Sequence, residues 1–404
     1  MNEIQSLCPP TADGLAEEAD IPAGLLDRST SPPRPAWIEI DLRKLHRNFE
    51  LIGQDKPDGL RLLSVVKDEG YGHGAIEVAR AALNAGAGFL GLSTLEEAVS
   101  LRDRGIRSRM LLLGDRQENE LRWCIAQDLS CSVSEAGCVR QLGRLAAQAG
   151  RRIPVHLKIN TGMNRYGVRW KEAACLIELI CSTPSLLLEG VLSHFAQSDE
   201  VDKTFALLQL SRFQEVLDTL STAGISVKFR HICNSGGFLD LPQAHFDMVR
   251  LGILPLGVFP SSVCRRIPGI EPVMSVKARL AAIQSLERGD SVGYGMRYTA
   301  TSARRIAVLP IGYGDGFPRV RNQGFVLVHG RRAPLVGGVA MDAITVDITD
   351  IPEAKLWDEA VIMGRQGEEE ISVHEVAKLK NSVSYDVLTS WRMRLPRIFI
   401  SDGQ

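Results

Sequence analysis

The feature that most limits what this chain can fold into is an alternation. Eight short apolar runs recur along it: LLSVVK (62–67), FLGLS (89–93), MLLLG (110–114), LSCSVS (129–134), PVHLKIN (154–160), LEGVLSHF (188–195), VKFRHICN (227–234) and MVRLGI (248–253). Helical stretches such as AIEVARAALNAG and TLEEAVSLRDRG lie between most of them. Strands alternating with helices form parallel βαβ units. Eight units over about 220 residues match the size of a (β/α)8 barrel. An open doubly wound sheet is the alternative, but no G-x-G-x-x-G follows the first strand. Local signals fit the same pattern. Trp37 opens a short alternating strand, WIEID, that runs into an amphipathic helix with Asp41 as N-cap. Ser93 with Glu96 reads as a capping box for a helix that ends at Gly105.

The texture changes after about residue 265. VMSVKARLAAIQSL, RIAVLPIGYGDGF, FVLVHGRRAPLVGGVAMDAITVDITD and DEAVIMGRQ are β-branched runs broken by Gly and Asp turns, with helical periodicity scarce outside SVHEVAKLK. This predicts a second, mainly β domain over residues 266–404, behind a barrel over residues 35–265. Residues 1–34 hold Pro9, Pro10, Pro22, Pro32 and Pro33 with little periodicity and read as a flexible arm.

Composition removes several function classes. Lys plus Arg is 47 against 48 for Asp plus Glu, so there is no electrostatic footprint for nucleic acid or an anionic membrane. No apolar run reaches the roughly 18 residues of a membrane span. MNEIQSLCPP has neither a basic nor an apolar signal region. Cys8, Cys124, Cys131, Cys138, Cys175, Cys181, Cys233 and Cys264 show no C-x-x-C spacing and sit mostly in apolar surroundings, as in AACLIELIC. They read as buried, reduced thiols of a cytoplasmic protein.

The polar residues at strand ends carry the chemistry, because a barrel's active site lies at its C-terminal face. Lys67 ends the first strand, Lys158 and Asn160 the fifth, with Arg165 just beyond, and His194 the sixth. Asn234 and Ser235 follow the seventh; Arg250 lies in the eighth, followed by Gly252 and Ile253. Barrels often bind phosphate after strands seven and eight, where Ser235, Gly236, Gly237 and Gly252 offer a hydroxyl and unobstructed backbone N–H groups. A lysine at an apolar strand end is either a solvated charge or an amine available for Schiff-base chemistry. The loop KDEGYGHG, where glycines let backbone approach a ligand, favours the second reading.

SVVKDEGYGHGA resembles the pyridoxal-phosphate lysine motif of the alanine racemases. RPAWIEIDLRKLHRNF, HLKINTGMNRYGV, VLSHFAQSDE, CNSGGF, VRLGILPLGVFPS, VGYGMRYTA, VLPIGYGDGFPR, GGVAMDAITVDITD and SVSYDVL resemble further blocks of that family, in order, from about Arg34 to Ile400. The resemblance implies that Lys67 carries pyridoxal 5'-phosphate. Tyr71, Asn234, Ser235, Gly252, Ile253 and Tyr385 would hold the cofactor, with Arg250 facing its pyridine nitrogen. Arg165 and the Met341 backbone would meet the substrate carboxylate, and Lys158 would be carbamylated to position Arg165. His194 would link Arg250 to Tyr294. Tyr294 and Met341 would come from the partner of a homodimer, with L- and D-alanine as substrates and D-alanine supplied to peptidoglycan.

The chemistry needs these residue types. Inversion at Cα requires a base on each face, Lys67 and Tyr294 here, and a free phenol (pKa ~10) must be acidified by a cation such as Arg165 to serve near neutrality. An Arg at the pyridine nitrogen disfavours its protonation, which suits reprotonation over transamination. Without the resemblance, Arg250 would read as a partner of Asp247. His46, His156, His231, His245, His329 and His374 read as structural or surface residues, and none has metal-ligand spacing. Some positions depart from the family pattern. Asp68, Glu69 and Gly70 follow the lysine where small or amide residues are common; Asn160 replaces a frequent Asp, Leu251 a Pro and Gly338 an Arg. The two carboxylates would raise the Lys67 pKa unless they leave the strand on opposite sides. Two rival functions stand beside alanine racemisation: a serine or broader racemase, against which Tyr385 beside the substrate methyl argues, and a non-catalytic cofactor carrier, against which the second domain argues.

Overall fold

The computed structural model describes residues 34–401. The proposed arm, Arg34 apart, and Cys8 lie outside that range. The eight barrel strands form where the apolar runs predict them: β1 (Arg61–Val65), β2 (Phe89–Leu92), β3 (Met110–Leu112), β4 (Ser130–Val133), β5 (Ile153–Asn160), β6 (Leu186–Leu192), β7 (Phe229–His231) and β8 (Met248–Leu251). All pair in parallel, in the spatial order β8-β1-β2-β3-β4-β5-β6-β7. The seam between β7 and β8 is bridged by Asp247 N–H to Arg230 C=O at 3.2 Å and Arg250 N–H to Cys233 C=O at 3.0 Å. This is the (β/α)8 architecture. Seven of its strands are shorter than the runs, and β5 is one residue longer.

Helix Leu42–Asp55 begins as expected, with the Asp41 carboxylate accepting from the N–H groups of Arg43 and Lys44. It buries Leu45, Phe49 and Ile52 on one face, each contributing roughly 1.5–3 kcal/mol. Asn48 on that face donates to the carbonyls of Pro255 and Glu271 and accepts from Glu271 N–H. It thereby ties the helix to the segment leaving the barrel. The capping box of helix Leu95–Asp103 is one residue later than expected. Thr94 accepts from Glu97 N–H at 3.2 Å and the Glu97 carboxylate accepts from Thr94 N–H at 3.1 Å. Glu97 also accepts from the N–H groups of Ser93 and Asp68, a four-way fastening that Glu96 cannot make from the next position.

The second domain is mainly β. Its largest sheet orders Arg331–Pro334, Phe325–Val328, Glu359–Gln366, Met274–Arg279, Ala36–Asp41 and Arg397–Ile400. The WIEID strand, grouped above with the barrel, therefore pairs in this sheet, antiparallel to Met274–Arg279 and parallel to Arg397–Ile400. A period-two strand carries no mark of which sheet will take it. Helices Val373–Lys380 and Ser384–Ser390 follow, and the second brings Tyr385 to the barrel mouth. One apolar core runs through both domains.

The cysteine reading needs correction at two positions. Cys124, Cys131, Cys233 and Cys264 are buried, but Cys175 and Cys181 are exposed. Helix Ala173–Cys181 buries Ala173, Leu176, Ile177 and Ile180, and a 3.6-residue period turns Cys175 and Cys181 outward. Among the described residues, no helix is long and apolar enough to cross a membrane.

Candidate active site

A cavity of about 740 Å³ opens at the C-terminal end of the barrel strands. Lys67, Tyr71, Lys158, Arg165, His194, Asn234, Ser235, Arg250, Gly252, Ile253 and Tyr385 all line it. Tyr294 and Met341 do not. They sit on the second domain, 83% and 51% exposed, outside the cavity of their own chain.

Lys67 does not end a strand. It opens a tight turn, Lys67–Tyr71, in which Asp68 (φ 52), Glu69 (φ 53), Gly70 (φ 61) and Tyr71 (φ 54) are all left-handed. Each non-glycine in that region costs about 1–2 kcal/mol. The turn is held by Asp68 N–H to the Glu97 carboxylate at 2.6 Å, Gly70 N–H to Val66 C=O at 3.0 Å and Gly72 N–H to Asp68 C=O at 2.9 Å. It brings Tyr71 back so that the Lys67 Nζ stands 6.0 Å from the tyrosine ring centroid. The two carboxylates do not alternate as in a strand. Asp68 lines the cavity, whereas Glu69 lines a separate hollow with Arg397. The net effect on Lys67 is the reverse of the expected one. Burial and the Arg165 cation lower its pKa, and Glu97 and Asp68 oppose this only in part.

One end of the cavity is built from hydroxyls and bare backbone. The Tyr71 and Tyr385 rings lie 6.1 Å apart at 58°. A Cβ at Gly252 would overlap the Tyr71 hydroxyl, so only glycine lets backbone and phenol meet there. Asn234 acts through position: its Oδ1 accepts from Gly237 N–H at 2.9 Å and from the Ser198 hydroxyl at 2.7 Å, shaping the turn that presents Ser235. Asn160 has a similar part. Its Oδ1 accepts from the N–H groups of Gly162 and Asn164, folding the loop that carries Arg165.

Arg250 is buried and, among the described residues, has no carboxylate as a hydrogen-bond partner. Asp247 pairs instead with Arg230 at 2.7 Å. The Arg250 guanidinium donates to the carbonyls of Ser193 (2.7 Å), His231 (3.1 Å) and Ile232 (3.1 Å). It also donates to His194 Nδ1 (2.9 Å) and His231 Nδ1 (3.1 Å). Burial pushes its pKa down to about 10, so it remains a cation at neutral pH. The same burial, with Arg250 and Lys158 close by, holds His194 well below the usual imidazole range and therefore neutral. Lys158 is held well below the usual lysine range by burial and by Arg250 and Arg165. That shift favours the uncharged form of its amine. Reading His231 as merely structural or superficial missed its contact with Arg250. The H-x-C-N spacing after β7 marks the chain's turn into the mouth but not which way the ring points.

These residues suit pyridoxal phosphate. A lysine amine with a lowered pKa, a cradle that any Cβ at Gly252 would fill, and a buried cation opposite them match an aldehyde, a phosphate and a pyridine ring in turn.

Family models match both parts of the chain. The model of the alanine racemase N-terminal domain matches residues 40–260 and that of the C-terminal domain residues 273–399. An alanine racemase of Syntrophobacter fumaroxidans is 41% identical over 356 residues, covering 88% of this chain and 95% of that protein. The structure of an alanine racemase from Clostridium difficile 630 superposes with a TM-score of 0.88 at 31% identity, covering 93% of this chain and 98% of the other. A histidine racemase from Leuconostoc mesenteroides superposes at 0.83 with 27% identity, covering 92% of this chain and 100% of that one.

Proposed function

The chain belongs to the alanine racemase family, whose activity it shares, and on that premise we propose that Lys67 and the partner subunit's Tyr294 carry the inversion of alanine on pyridoxal phosphate. The observation that carries this reading is the gathering of Lys67, Arg165, His194, Arg250 and Tyr385 around one cavity.

Tyr71, Ser235, Tyr385 and the open backbone at Gly252 would hold the phosphate, and Arg250 would face the ring nitrogen. When bound, the cofactor supplies an electron sink for the pair left at Cα. The depressed pKa of Lys67 leaves more of its amine unprotonated near neutrality, as a base needs. When free, that amine would take or return the α-proton on one face. The second face needs its own base. The exposure of Tyr294 (83%) and Met341 (51%) supports their delivery to a neighbouring copy's cavity, which makes the active unit a homodimer. Arg165 would hold the substrate carboxylate and favour the phenolate form of the partner's Tyr294. The lowered pKa of Lys158 favours an uncharged amine, which could take up carbon dioxide with loss of a proton; the resulting carbamate would offer Arg165 a negative charge. Arg250, a buried cation unable to accept a proton, would disfavour a proton on the ring nitrogen and so favour return of the α-proton over transamination. D-alanine formed in this way would supply peptidoglycan.

The histidine racemase of the same fold makes substrate breadth a real second reading. Tyr385, packed against Tyr71 within the cavity, favours a small side chain. Chiral analysis of a panel of L-amino acids, each incubated with cofactor-loaded protein, tests both. Alanine is expected to approach equal D and L, with serine slower. Loaded protein that leaves L-alanine unchanged would refute the proposal.

A further inference from the structure

Arg250 is a buried cation whose direct hydrogen-bond partners are all neutral. The nearest compensating charge reaches it indirectly. A guanidinium only donates, so the His231 Nδ1 at 3.1 Å is a lone pair and its proton sits on Nε2. That Nε2 lies 2.9 Å from His156 Nδ1, which must accept, placing the His156 proton on its own Nε2. His156 Nε2, which has no hydrogen-bond partner among the described residues, in turn faces the Glu189 carboxylate at 3.4 Å, longer than a hydrogen bond. Glu189 is paired with Arg109 near the other end of the barrel. Every proton position in the chain thus follows from the one before it.

The packing commits to this arrangement. A Cβ at Gly190 would stand 2.5 Å from His156 Nδ1, so the imidazole occupies space that any other residue would fill. Phe229 stacks on the His156 ring at 6.0 Å and 9°, and Phe89 meets it edge-on at 5.9 Å. Arg109 covers Phe89 at 4.2 Å. Burial lowers the pKa of both histidines, which therefore stay neutral, while His156 and Arg109 overcome burial to hold Glu189 at about 2. A fixed negative charge faces two imidazoles aligned as dipoles toward Arg250.

We infer that Glu189 is a positioning residue, whose charge favours the His156 and His231 tautomers that Arg250 needs and so helps hold its guanidinium where it meets the cofactor ring. This deepens the racemase reading and rests on Arg250 facing the pyridine nitrogen. The Glu189 charge favours the tautomer that turns the His156 Nε2 proton toward it; a neutral amide loses that preference and can donate as well as accept.

The test compares full-length protein labelled with ¹⁵N-histidine, with and without pyridoxal phosphate, with its Glu189→Gln variant. In the parent, His156 and His231 should both show a bare Nδ1 and a protonated Nε2, even without cofactor. Glu189→Gln should populate the reversed tautomer in both rings. With cofactor bound, it should shift the cofactor absorption and lower kcat for alanine about tenfold, about 1.4 kcal/mol, with KM within about twofold. Glu189→Asp should restore the parent tautomers. A protonated Nδ1 in the parent, or unchanged tautomers and kcat in Glu189→Gln, would overturn the inference. If Glu189→Gln does not fold, the parent spectrum decides alone. A parent with the stated tautomers that does not racemise alanine would instead overturn the racemase reading.

Discussion

Acid should loosen the cofactor cradle through His73. This ring is fully buried directly behind Tyr71. Its Nδ1 lies 2.9 Å from the Tyr71 carbonyl and so carries the proton, while Nε2 has no hydrogen-bond partner among the described residues. A second proton would leave a cation and an unpaired N–H beside Leu256, Val258 and Met274. Burial accordingly takes the pKa from 6.5 down to about 4, with the Tyr71 carbonyl only partly opposing it. The folded state then binds fewer protons than the unfolded state between those two values. Stability is full above about pH 6.5 and falls as pH drops toward 4. At pH 5 the loss from His73 alone is about 2 kcal/mol, against almost nothing at pH 7.5. His156, His194 and His231, also buried and lowered, add to it with the same sign. Urea unfolding at pH 7.5 and pH 5, at one protein concentration, measures the loss. His73→Asn keeps a donor for the Tyr71 carbonyl but does not titrate. Its pH-dependent loss should be smaller than the parent's by about 2 kcal/mol. Equal losses in both proteins, or a parent that gains stability in acid, would refute the reasoning.

Lys67→Ala should abolish the absorption band of lysine-bound cofactor and lower alanine racemisation by at least roughly 10²–10⁴-fold, read by spectrophotometry and chiral chromatography. Tyr294→Phe should keep that band yet lose exchange of the α-proton from one enantiomer in deuterated water; equal residual exchange from both would contradict a two-face assignment. Gly252→Ala pushes a methyl into the Tyr71 hydroxyl and should weaken cofactor binding about tenfold or more, followed by absorbance titration. Thr94→Ala removes half of a capping box beside the Asp68 turn and should cost about 0.5–2 kcal/mol in urea unfolding.

Much of the site was legible because barrel topology converts chain position into spatial position. A polar residue after a parallel strand must lie at one end of the barrel, so Lys67, Lys158, Arg165, His194, Ser235 and Arg250 could be placed together from strand rhythm alone. Their chemical roles came from the motif resemblance. Orientation was not legible. Asp68 and Glu69 were read as strand residues, yet both lie in a left-handed turn, and φ angles of 52° and 53° leave no trace in residue type when neither is glycine. Asp247 is near Arg250 in sequence but pairs with Arg230 across the β7–β8 seam. The capping box moved from Ser93 and Glu96 to Thr94 and Glu97 because Glu97 also serves Asp68, a long-range demand.

The sequence by itself determined the eight-unit barrel, the β-rich second domain and the set of polar groups at the mouth, since hydrophobic period and strand order act locally along the chain. Only the tertiary structure decided that Ala36–Asp41 joins the second domain's sheet, that Cys175 and Cys181 face solvent, and that His156 and His231 lead from Arg250 toward Glu189. Each of those outcomes depends on which distant residue occupies the neighbouring space, and that is settled by close packing of the whole core.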